Sequence, residues 1–277
     1  MSDTIRGLTR AIQARLLEER PRLQAAFGVP RAGHVRHFAL DELLPREVIG
    51  AAVEAMPPLP SMLRLANTKE RKFVCARLDS LNGPVRDIVT AINQPEVAAA
   101  IAGITGMATL ETDPQLYNGG ITYMLPGDYM CPHLDNSHDH ARRRRREVVL
   151  LTYLSPYWRE DYGGHLALWQ DQRRGALEPV PYRSNRLVVM ETTDASWHAV
   201  TPIAGPMPRI NVTTYFYAPS AVQHPVRLTR FAAWPGHGVR HAVFTGEFAL
   251  RSLANRMGAR RLRPNRHINS TSGPSGP

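Results

Sequence analysis

The feature that most constrains this chain is a series of short, β-prone stretches between residues 121 and 218, separated by Gly, Pro and Asn. In order they are ITYML (121–125), YMCPHLD (129–135), EVVLLTYL (147–154), HLALW (165–169), RLVVMET (186–192), WHAVTPI (197–203) and RINVTTYFYA (209–218). Closely spaced strands with turn residues between them indicate an antiparallel sandwich, jelly roll or barrel. The first third reads as helical. Ile5, Leu8, Ile12 and Leu16 recur at helical spacing, as do Leu44, Val48, Ala52 and Val53 after the acidic pair Asp41 and Glu42. A third helix begins near Pro84, with Val85, Ile88, Val89 and Ile92 on one face, and another follows Pro95. Helices followed by such a sheet make an α+β architecture.

The chain has 277 residues, 43% of them hydrophobic, enough for one large domain with a buried core. No run of 18 apolar residues is present, which argues against a membrane span. An N-terminus rich in charge and without an apolar stretch argues for a cytoplasmic protein. Two cysteines, Cys75 and Cys131, are too few for a disulfide framework or a thiolate cage. The net charge of +10 raises nucleic acid as a partner, but 32 of the 34 basic residues are Arg and the bias is global. The run Arg142 to Arg146 reads as a solvated loop. A basic, non-catalytic polyanion-binding module stays as the alternative from another class.

The stretch CPHLDNSHDH (131–140) concentrates three His and two Asp. Alternation along a strand puts His133 and Asp135 on one side and Leu134 on the other, so the pair can grip one ion. A His-x-acid pair is weak by itself. His198, near the start of a later strand, supplies a third donor. Two imidazoles and one carboxylate on one face of an ion suit non-haem Fe(II), and zinc hydrolases use a similar set. Arg209, eleven residues on, bears on that choice. The same alternation groups Arg209, Asn211 and Thr213, and a guanidinium inside a metal-holding cavity needs an anionic partner such as a carboxylate. His138 and His140 read as solvated loop residues, His165 as a wall residue and Trp197 as packing. Trp158 stands between the substrate mouth and surface packing.

The order His133-x-Asp135, His198, Arg209-x-Asn211 resembles the Fe(II)/2-oxoglutarate-dependent oxygenases, with details nearest the prolyl-4-hydroxylase-like branch. YMLPGDYMCPHLD is similar to that branch's approach to the first ligand, YGGHLALW to its strand after a Gly-Gly turn, and SWHAVTPI to its second histidine strand. HFALDELLPREVIGAAVEAM looks like the strand and helix that open such domains, so the resemblance covers roughly residues 36 to 218. It implies a double-stranded β-helix (jelly-roll) core with N-terminal helices packed on it. The implied organisation is a helical extension over 1–35, the oxygenase domain over 36–220, a C-terminal helical extension over 221–262 and a disordered tail over 263–277. It implies iron on His133, Asp135 and His198, 2-oxoglutarate on Arg209 with Asn211, and a cosubstrate hydrogen bond from Tyr123 or Tyr129. Collagen-type members carry Lys where this chain has Arg209. Halogenases of the superfamily lack the carboxylate that Asp135 supplies, which favours hydroxylation or a related oxidation. The implied reaction couples decarboxylation of 2-oxoglutarate by O2 to oxidation of an unactivated C–H bond in a small molecule or amino-acid derivative. A peptidyl (prolyl-type) residue is the alternative substrate.

Overall fold

In the computed structural model, which describes residues 1–28, 34–75, 77, 80–170, 175–219, 225–236 and 238–256, the β-prone stretches form two antiparallel sheets. The larger runs in the order β1 (His37–Leu40), β9 (Arg186–Glu191), β6 (Arg146–Tyr153), β11 (Arg209–Tyr217), β4 (Gly120–Met124), β3 (Arg71–Cys75) and β2 (Leu63–Ala66). The smaller runs β12 (Arg230–Phe231), β5 (Met130–Leu134), β10 (His198–Val200), β7 (Leu166–Trp169) and β8 (Leu177–Val180). The expected series of seven strands is present and the α+β class is as expected. The helical first third is interrupted: β1 opens the larger sheet where the resemblance implied a strand, and β2 and β3, which were not expected, form a hairpin on its far edge. That hairpin is half-exposed and carries Arg64, Arg71 and Lys72, so it lacks the apolar runs of central strands such as β6 and β9.

Among the described residues six α-helices accompany the sheets: α1 (Asp3–Glu18), α2 (Arg20–Gly28), α3 (Arg46–Glu54), α4 (Gly83–Ile92), α5 (Pro95–Thr105) and α6 (Gly238–Arg256). Ser2 caps α1 by accepting from the Ile5 amide, and Gly106 ends α5 in a left-handed conformation that costs glycine nothing. Ile12 and Leu16 of α1, Ile88 of α4 and Ile101 of α5 share one core with Val148, Leu150, Val212 and Phe216 of the larger sheet. Each such side chain stabilises the fold by about 1.5–3 kcal/mol through burial. The helices therefore cover one face of the larger sheet. Its other face turns toward the smaller sheet, and the functional cavity lies between them.

No disulfide joins Cys75 and Cys131, and no helix among the described residues is long and apolar enough to cross a membrane. Of the span expected as a C-terminal helical extension, 221–262, Gly238–Arg256 form α6, whereas Arg230–Phe231 form β12 and pair with β5. The expected tail over 263–277 lies outside the described residues.

Candidate metal centre

Strands β5 and β10 pair antiparallel with His198 directly opposite His133, and Asp135 follows the end of β5. The two imidazole centroids are 4.1 Å apart. His133 Nε2 lies 3.7 Å from one Asp135 oxygen and His198 Nε2 lies 3.8 Å from the other. One donor atom from each residue falls within 4.8 Å of the rest, and all three residues are buried. Each imidazole is held from behind in the same way. Nδ1 of His133 donates to the Cys131 carbonyl and Nδ1 of His198 to that of Ser196, both at 3.0 Å. A nitrogen facing a carbonyl must carry the proton, which leaves both Nε2 lone pairs facing the shared point. Burial, followed by the neighbouring His198, pushes His133 down to about 3, so it is neutral across the working range and ready to ligate. Burial alone would raise Asp135, but His198, His133 and Arg146 outweigh it and hold the carboxyl ionised.

Arg209 opens β11 and is 2% exposed. Its Nε donates to the Gly164 carbonyl at 2.7 Å, Nη1 donates to Asn211 Oδ1, and the guanidinium lies 5.0 and 4.9 Å from the rings of Tyr153 and Tyr182. Burial pushes the Tyr153 phenol up to about 12, so it stays protonated beside that cation. Gly164 has φ +64°, and a Cβ there would meet Arg209 Cδ at 2.9 Å, so the Gly-Gly turn serves the approach of this side chain as well as the bend. Among the described residues the hydrogen-bond partners of Arg209 are Gly164, Met124 and Asn211, none of them an acid. A buried cation without a counter-ion is costly, and an anionic ligand removes that cost.

His133, Asp135, His198, Arg209 and Asn211 all line one cavity of about 1500 Å³. Tyr123 and Tyr129 do not. Register pairs Arg209 with Met124 and Ile210 with Tyr123, so Met124 shares the cavity face while Tyr123 packs toward the helices beside Phe73. Tyr129 packs against Cys131, Ala233 and Phe244. His138 is not solvated. It is 3% exposed, with Nδ1 2.7 Å from Ser137 Oγ, and lines the cavity, whereas His140 is exposed and meets the edge of Tyr117. Nor is the arginine run a solvated loop throughout. Arg144 bonds Asp139 and Glu111, and Arg146 is fully buried. His165 accepts from the Tyr182 amide, and its neighbour Leu166 lines the cavity instead. Trp158 packs on Tyr182, and Trp197 packs with Leu134 and Trp169 away from the ligands. The sequence reading missed the hairpin's contribution, Lys69, Glu70 and Lys72, because the hairpin itself was missed.

The donor set narrows the class of ion. Two imidazoles and one carboxylate leave positions open and suit Fe(II), and the buried Asp135 Oδ2 has no hydrogen-bond partner of its own. Residues 119–217, which contain all three donors and Arg209, match the model of the 2OG-Fe(II) oxygenase superfamily. This part of the chain belongs to that superfamily. Membership places the oxygenase among the non-haem iron dioxygenases, whose cofactors are Fe(II), 2-oxoglutarate and O2. Its fold is similar to a prolyl-4-hydroxylase from Pseudomonas putida, at TM-score 0.51 and 20% identity over 70% of this chain and 98% of that one. It is similar to a prolyl hydroxylase from Trichoplax adhaerens, solved with a hypoxia inducible factor peptide fragment, at TM-score 0.50 and 14% identity over 73% and 91%. SnoN, a non-heme alpha ketoglutarate dependent epimerase from nogalamycin biosynthesis, matches at TM-score 0.50 and 12% identity over 75% and 88%. At these identities the likenesses establish the fold. No curated protein matches the chain.

Proposed function

We propose that the oxygenase holds Fe(II) on His133, Asp135 and His198, holds the far carboxylate of 2-oxoglutarate on Arg209 and Asn211, and oxidises an unactivated C–H bond of a small molecule or amino-acid derivative. The observation that carries this reading is that one cavity contains both the three-donor cluster and a buried guanidinium with no acidic partner among the described residues. Bound there, iron with its cosubstrate and O2 supplies the oxidising power for C–H cleavage. The chain's own residues supply orientation. The two Nδ1 clamps fix the imidazoles, and Arg209, steadied by Gly164 and Asn211, presents a planar fork to a carboxylate. Met124, Val149, Leu151, Leu166 and Val200 make an apolar wall that excludes water from the reacting end.

Anaerobic titration of the apo-protein with Fe(II) and 2-oxoglutarate tests the reading through the weak visible charge-transfer band of the chelate. The expected outcome is a band that His133→Ala abolishes and Arg209→Ala weakens. A folded wild type that gives no band overturns it. A peptidyl substrate is the second reading, favoured by a cavity of about 1500 Å³, above the roughly 300–1,000 Å³ usual for small-molecule sites. Mass spectrometry of cell proteins for a gain of one oxygen atom separates the two. The polyanion module loses its main support, because Arg144 and Arg146 point inward. We further take residues 36–220 as the oxygenase unit, with 1–35 and 221–262 as extensions braced on it, in a cytoplasmic protein.

A further inference from the structure

The matched family region ends at residue 217, yet Arg227, Phe231 and Glu247 also line the cavity. Part of that later stretch is β12, which covers one edge of β5, the strand that carries His133. An uncovered edge would leave the backbone of the ligand strand unpaired. On its other side β5 meets β10, where the register shifts between His198 and Val200, so β12 supplies a second hold just where the first is irregular. Arg230 pairs with Leu134 and Phe231 with His133, and the Ala232 amide donates to the Pro132 carbonyl at 2.7 Å. Alternation sends Arg230 outward to Trp197 and Phe248 and Phe231 inward. There the Phe231 ring stacks on the His133 imidazole, with centroids 5.3 Å apart and planes 24° apart. Lys69 Nζ lies 5.7 Å from the centroid of the same phenyl ring and pairs with Glu247 of α6. Asp135 lies one residue past β5, beyond the last rung of this ladder. A side chain takes over there. Arg227 Nε donates to the Asp135 carbonyl at 3.2 Å, and Nη1 pairs with Asp194 in the turn that leads to His198. The Arg227 backbone exchanges hydrogen bonds with Ser137, its amide donating to Oγ at 2.7 Å and its carbonyl accepting from the Ser137 amide at 3.0 Å.

We infer that the segment 227–231 completes the metal centre from outside the matched region: Phe231 and Arg227 are positioning residues that hold His133 and Asp135 in place opposite His198. The inference rests on the iron reading above. Functional groups work when their supports hold them to within about 0.5 Å, and His133 and Asp135 sit on one short piece of chain that slides or twists as a unit. Phe231 fixes the ring face of the first donor, and Arg227 fixes the backbone of the second. Groups behind metal ligands tune affinity without touching the ion.

The test titrates the full-length protein anaerobically with Co(II), reading affinity and the ligand-field spectrum per folded molecule, for wild type, Phe231→Leu, Arg227→Met, Arg227→Gln and Arg230→Gln. Phe231→Leu and Arg227→Met should each bind Co(II) about tenfold more weakly, the lower range for loss of a partner behind a metal ligand, with a displaced spectrum. Arg227→Gln puts an N–H back where Nε stood and should recover most of the loss. Arg230→Gln, on the outward face of the same strand, removes contacts to Trp197 and Phe248 and should leave affinity and spectrum at wild-type values whatever it does to the melting temperature. Two separate contacts are probed, so loss of the fold in one variant leaves the other to decide. Wild-type affinity and spectra in the folded Phe231→Leu and Arg227→Met proteins overturn the proposal while the iron reading stands. An equal displacement in Arg230→Gln also overturns it, because general loosening of β12 would then explain the change. A wild type that binds neither Co(II) nor Fe(II) overturns both readings, so the two failures are told apart by the protein in which they occur.

Discussion

The two faces of β11, near the middle of the larger sheet, are equally buried and do different work. On β11, Ile210, Val212 and Phe216 pack into the core shared with the helices, while Arg209, Asn211, Thr213 and Tyr215 face the cavity. Exposure does not separate these sets: every residue of the strand is buried. What separates them is how polar atoms are satisfied. The helix side has almost none to satisfy. The cavity side passes hydrogen bonds along the strand, Arg209 to Asn211 and Asn211 to Thr213, and so keeps polar side chains aligned on one face. Alternate positions of one strand therefore carry stability and chemistry separately, and substitutions should reveal the split.

The largest expected effect is on the chemical side. His133→Ala removes one of three donors and should weaken Fe(II) binding by at least about a hundredfold, since even losing a partner behind a ligand costs ten- to a hundredfold. Its melting temperature should stay close to wild type. On the helix side, Phe216→Ala should destabilise by about 3–5 kcal/mol in denaturant unfolding, while metal bound per folded molecule stays stoichiometric. Loss of metal by folded Phe216→Ala protein would break the separation of the faces. Arg209→Met should weaken 2-oxoglutarate by roughly ten- to a hundredfold, the loss of about 1.5–3 kcal/mol from hydrogen bonds to a charged group. Its unfolding free energy should be unchanged or higher, because a buried cation without an acid is gone.

The same split governs what the sequence reveals. The apolar alternation of EVVLLTYL and RINVTTYFYA exposes the strands, and the period of two gathers His133 with Asp135 and Arg209 with Asn211 on single faces. Alternation says which residues share a face. It does not say which face looks into the cavity, and Tyr123 was misplaced for that reason: only pairing of Met124 with Arg209 sends Tyr123 to the helices. Charged stretches are harder still. Nothing local distinguishes Arg146 from Arg143, because the burial of Arg146 depends on Tyr215 and Tyr217, some 70 positions away. His138 is likewise buried by a distant segment, in which Arg227 exchanges hydrogen bonds with Ser137. The hairpin β2–β3 packs at an edge with one side half-exposed, so its polar residues hide its strand character.

The smallest effect is expected where a substitution touches neither face. Asp41, just past β1, accepts from Arg186 at the start of β9, with Nη2 at 2.8 Å, and so ties one edge of the larger sheet. The hydrogen bond from Arg186, offset in part by burial, holds the Asp41 carboxyl below its ordinary range. A carboxyl lowered on folding stabilises the fold fully above its unfolded value, near 3.9, and loses that contribution as the pH falls through the folded one. Asp41 is 46% exposed, so solvent screening limits the pair to about 1 kcal/mol or less. Asp41→Asn should therefore lower the melting temperature slightly at pH 7 and leave Fe(II) and 2-oxoglutarate binding at wild-type values. The difference from wild type should begin to shrink below about pH 4, where the unfolded carboxyl begins to protonate, and close as the pH falls through the lower value of the folded one. A deficit that does not shrink at all as the pH falls below about 4, or a change in metal binding, would show that this edge pair is coupled to the cavity face and that the two faces are less independent than their alternation implies.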